Sequence, residues 1–175
     1  MGSEGLVVFS KGQRYSLRLM VSCAPGESHM TASNSRTPNT GDRIRFQMAN
    51  ATPTADGRCM VEVQLSLPGG AQLFGNSEGP DLPDARVRAG ADATVEALDP
   101  VLRGRLHLRY KGGRVLEAFD STLVIVSLAG TLGEREYTLI GAVSADDRDL
   151  VEGGALAVLD AANRVIERFL SIGER

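Results

Sequence analysis

Along residues 61–67, Val61, Val63, Leu65 and Leu67 alternate with Glu62, Gln64 and Ser66. A period of two marks a strand with one buried face. Pro68-Gly69-Gly70 turns it into a second strand at 72–74, and residues 75–81 (GNSEGPD) read as a loop. Asp81 followed by Pro83 is a cap-then-proline helix start. The helix it opens is expected to run to about Leu98, with Val87, Ala91, Val95 and Leu98 on one face, and Pro100 is expected to stop it. The alanines make this face shallow, so whatever packs on it must come close.

The same order then recurs. Leu106 and Leu108 alternate with His107 and Arg109, Lys111-Gly112-Gly113 is either a turn or a bulge, and residues 115–119 continue as strand. Residues 121–128 form a β-branched strand, and 130–134 close a hairpin onto 137–143. A final helix starts at Asp149, with Glu152 in capping-box spacing. Ala155, Val158, Leu159, Ala162, Val165, Ile166 and Phe169 recur at helical steps as its buried stripe.

The N-terminal third is less regular. Leu6 to Phe9 and the alternating Tyr15, Leu17, Leu19 and Val21 suggest a hairpin around Lys11-Gly12. Residues 22–42 are polar and turn-rich, offer little apolar surface to offset ordering entropy, and read as a mobile loop. Ile44, Phe46 and Met48 suggest one more short strand. The domain reading is therefore an N-terminal β segment over 1–57 and an α+β domain over 58–175. Residues 58–98 and 105–170 follow one plan of antiparallel strands, a glycine-containing loop, then an acid-opened helix. The expected fold is α+β: an antiparallel sheet with two helices packed on one face, two pseudo-repeated units, and extra N-terminal strands.

Composition narrows the functional classes. A formal net charge of −3 over 175 residues lacks the clustered cations of a nucleic-acid surface. No apolar run is long enough to span a bilayer, and the N-terminus has no secretory signal pattern. A cytoplasmic protein with no membrane or nucleic-acid partner is expected. Cys23 and Cys59 are isolated and read as free thiols, and His29 and His107 stand far apart, without metal-ligand spacing. No familiar nucleophile, phosphate-loop or zinc-protease motif is present, so no catalytic residue, metal or cofactor is expected. Asp146-Asp147 reads as a solvated turn.

Two junctions between strand and helix carry a resemblance. The first holds Glu78-Gly79-Pro80 and Pro83-Asp84-Ala85; the second holds Gly141, then Asp149-Leu150-Val151-Glu152-Gly153-Gly154, with Ala162-Asn163-Arg164 further along the helix. With the strand Leu106-His107-Leu108-Arg109-Tyr110 between them, these pieces resemble, over residues 58–170, the C-terminal regulatory domain of 2-isopropylmalate synthase and the citramalate synthases. The chain departs from that pattern in a first junction two residues longer, one glycine before the second junction, and Gly153-Gly154 in place of Ala-Ser. At 175 residues it is also too short to contain a (β/α)₈ synthase barrel, so it would be a freestanding relative.

The resemblance implies a non-catalytic homodimer that binds a small amino acid or 2-oxo acid near the junctions. The implied ligand residues are Gly79, Pro80, Asp84, Ala85, Gly141, Asp149, Leu150 and Gly153. Helix N-termini suit a carboxylate, Asp84 or Asp149 suits an ammonium group, and small residues admit a side chain. Read singly, the same residues are ordinary: Asp81 or Asp84 and Asp149 cap helices, and the glycines make turns. The alternative is a structural or protein-interaction dimerisation domain that has lost its ligand, with filled junctions and an exposed apolar patch.

Overall fold

Each half of the described region builds three antiparallel strands and one helix. The structure is a computed structural model describing residues 43–102, 105–145 and 149–172, with side chains in the last helix as far as Ile166. The first half comprises β1 (Arg45–Pro53), β2 (Arg58–Ser66), β3 (Gln72–Pro80) and α1 (Pro83–Leu102). The second comprises β4 (His107–Ala118), β5 (Ser121–Leu132), β6 (Arg135–Ser144) and α2 (Leu150–Ile172). The strands form two three-stranded sheets, β1-β2-β3 and β4-β5-β6. The α+β class and the repeated plan are thus as expected, with the strands divided between two sheets instead of one.

The repeat is closer than the residue types suggest. β1 has a bulge between Phe46 and Met48 against β2, and β4 has one at the same register position, between Tyr110 and Gly112 against β5. Val61, Val63 and Leu65 of β2 match Val124, Val126 and Leu128 of β5, and all six are buried. Burying such side chains stabilises the fold by roughly 1.5–3 kcal/mol each. Each helix lies on the last two strands of its own sheet and also meets the first strand of the other: α1 meets β4, and α2 meets β1. Each is therefore buried around most of its circumference, not along one stripe.

Four glycines set these close approaches. A methyl group added at Gly75 on β3 would fall 2.0 Å from the Ala93 carbonyl oxygen of α1, and one at Gly141 on β6 would fall 2.0 Å from that of Ala157 on α2. The helices cross each other on a second reciprocal pair. Gly90 of α1 rests on the Val151 backbone, and Gly154 of α2 rests on that of Val87. On the outer edges, Glu96 of α1 accepts the Asn76 N–H of β3 at 2.7 Å, and Asp160 of α2 accepts the Ala142 N–H of β6 at 3.1 Å.

Several boundaries differ from the sequence reading. β1 is the first strand of the first repeat and pairs with β2, so the division at 57/58 falls inside a sheet. Residues 75–80 continue β3, because their glycines face a helix and are not in a turn. Pro100 sits inside α1, which ends at Leu102; buried Leu98 and Leu102 hold the final turn against the core. Lys111 is the bulge residue of one continuous β4, while Phe119 and Asp120 form the turn into β5. The expected hairpin and polar loop over 6–42, Cys23, His29 and Asp146-Asp147 lie outside the described residues. Cys59 is a buried free thiol.

Candidate functional site

The two helix starts do meet in space. Asp149 caps α2 by accepting the Val151 N–H at 2.8 Å, as its position before the helix dictates. Its other oxygen accepts from Arg86 Nη1 at 2.9 Å, while Arg86 Nε donates to Asp81 at 2.6 Å. One guanidinium on α1 thus joins the strand–helix turns of both repeats. The hydrogen bond to Asp81, reinforced by the nearby Asp149 charge, raises the Arg86 pKa above its ordinary value. Each oxygen of Asp149 is therefore already engaged, one by the helix cap and the other by a cation.

Most of the second junction is filled by protein. Gly141 is pressed on α2, and a methyl at Gly153 would stand 3.0 Å from Val124 Cγ2 and 3.4 Å from Ala145 Cβ. Gly79 occupies the place in the first repeat that Ala145 holds in the second, with Ala89 opposite it where Gly153 stands. Small residues have changed sides between strand and helix, and the gap stays closed in both. Leu150 packs against the core at the start of α2, and Pro80 ends β3 opposite Arg58.

Asp84 and Ala85 are placed differently: they line an open cleft of about 520 Å³ between the first turns of α1 and the edge strand β4. α1 also contributes Arg88. The far wall and floor are Tyr110, Gly112, Gly113 and Arg114 of β4, with Ile125 of β5 behind them. The bulge at Lys111 breaks the regular pairing of β4, and Gly112 leaves the floor as bare backbone, while the Cβ position of Gly113 is closed off by the Tyr110 hydroxyl and Val87. A Cβ at Gly112 would meet nothing within 4 Å. Arg88 lies over the Tyr110 ring, 5.9 Å from its centroid, and pairs with Asp92 at 3.2 Å. Burial, then the Asp92 charge, pushes the Tyr110 pKa up, so its hydroxyl stays a neutral donor at physiological pH.

Of the eight sequence-expected residues, two line this cleft, and six serve strand ends, caps or packing. The reading from sequence did not find Arg88, Tyr110, Gly112, Gly113, Arg114 or Ile125. The signal available was Lys111-Gly112-Gly113, already a candidate bulge. A second depression of about 480 Å³ beside α1 is lined by Phe74, Asp92, Val95, Glu96, Asp99 and Pro100. Among the described residues no cluster of three or more His, Cys, Asp or Glu is placed to hold a metal, and no helix is long and apolar enough to cross a membrane. Comparison with known protein families and with curated proteins returns no match.

Proposed function

We propose that the protein is a non-catalytic ligand-sensing domain, cytoplasmic and dimeric, that binds a small amino acid or 2-oxo acid. The supporting observation is the cleft at the first junction. It combines an acid (Asp84), two guanidinium groups (Arg88, Arg114), a neutral phenol (Tyr110) and a glycine floor in one concave surface. Such a set can hold a carboxylate by charge-assisted hydrogen bonds and an ammonium group by Asp84.

A second reading, a dimerisation domain without ligand, draws on different residues. The outward face of β4-β5-β6 exposes Leu116 and Ile140, 45 % and 61 % accessible, next to half-buried Leu123 and Ile125. The matching face of the first sheet carries Asn50, Glu62, Gln64 and Asn76. Calorimetric titration and thermal shift over amino acids and 2-oxo acids separate the two, alongside light scattering. A dimer with saturable heat is expected. A dimer with neither heat nor thermal shift would leave only the second reading, and a monomer at micromolar concentration would count against both.

A further inference from the structure

The internal repeat supplies its own control for the cleft. The place where α1 meets β4 has a counterpart where α2 meets β1, and the bulge registers align the two position by position. Where the cleft has Gly112 and Gly113, the counterpart has Met48 and Ala49; where it has Arg114, the counterpart has Asn50. Opposite these, Ile125 is replaced by Glu62. One copy of the duplicated place therefore carries glycine and a cation, and the other carries larger side chains and an acid. Two of these differences, at Gly112 and Arg114, fall on residues the fold does not need, whereas a Cβ at Gly113 would stand 2.8 Å from the Tyr110 hydroxyl and 3.2 Å from Val87 Cγ1. Gly112 has open space around its Cβ position, and Arg114 is exposed.

We propose that the cleft of the second-repeat edge, and not its counterpart, binds an acidic α-amino acid, one molecule per chain. This rests on the ligand-sensing reading above and specifies its ligand. The cleft offers two cations and one anion; an amino acid with a carboxylate side chain offers two anions and one cation. Arg114 takes one carboxylate and Arg88 the other, while Asp84 on the first turn of α1 takes the ammonium group. Arg88 must give up its pair with Asp92, an exposed i,i+4 contact that solvent screens and that contributes little. The Tyr110 hydroxyl donates to a carboxylate oxygen, and the bare floor at Gly112 lets the ligand backbone come close.

The test is titration calorimetry on the full chain with L-glutamate, L-aspartate, a 2-oxo dicarboxylate, L-leucine and L-isoleucine. The acidic amino acids are expected to bind with a stoichiometry of one. The 2-oxo dicarboxylate, lacking the ammonium group, binds about tenfold more weakly, and Asp84→Asn removes that preference. Gly112→Met and Arg114→Asn, which install the residues of the first repeat, each weaken glutamate binding about tenfold or more without lowering the melting temperature. Leucine or isoleucine binding without the acidic amino acids overturns this ligand assignment and leaves the sensing function standing. Glutamate binding at two per chain, or untouched by both variants, overturns the location. Silence from all five ligands, with a correctly folded protein by circular dichroism, overturns both.

Discussion

At Gly141 a single methyl group would stand 2.0 Å from the Ala157 carbonyl oxygen, and Gly75 stands in the same relation to Ala93. Backbone cannot yield as a side-chain tip can, so Gly141→Ala and Gly75→Ala should each cost about 3 kcal/mol or more in urea denaturation. Gly153→Ala meets side-chain atoms and should cost about 1 kcal/mol. Gly112→Ala, in open space, should stay within about 0.5 kcal/mol. This ranking explains why the sequence misplaced its glycines. A glycine in a turn and a glycine under a helix look alike in one dimension, since both merely lack a Cβ. Asp149 was legible because capping is local: the acid, the helix it opens and the N–H it accepts lie within three residues.

Among the elements, the β4–β5 turn is the least relaxed. Phe119 and Asp120 both have left-handed backbone, at φ 57° and 58°, and Phe119 is 93 % exposed. A two-residue hairpin turn of this kind favours Asn-Gly, and a bulky aromatic in its first position is strained. Replacing Phe119→Asn and Asp120→Gly together should stabilise the protein by about 1–2 kcal/mol, read as a higher midpoint in thermal melts. The sequence reading takes the strand through Phe119, since neither Phe119 nor Asp120 is a glycine or asparagine that would mark the turn. Pro100 misled in the opposite direction. Its ring opposes a helix interior, but burial of Leu98 and Leu102 retains the final turn.

For the whole molecule, the doubled order of elements and the class of fold were readable, since periodicity and junction residues lie along the chain. The division into two sheets, the place of β1 and the cleft were not. Each depends on register between strands far apart, and the cleft exists only where α1 approaches a bulge on the other sheet. The reciprocal seat of Gly90 on Val151 and of Gly154 on Val87 has a consequence for how the chain comes apart. Neither helix can leave without stripping the shallow alanine face of the other, so neither half has a surface on which to persist alone. Calorimetry should therefore show one transition, with equal calorimetric and van't Hoff enthalpies. Two resolved transitions would mean that the halves melt independently. A duplicated architecture is then a single cooperative unit, whose two copies share one melting point.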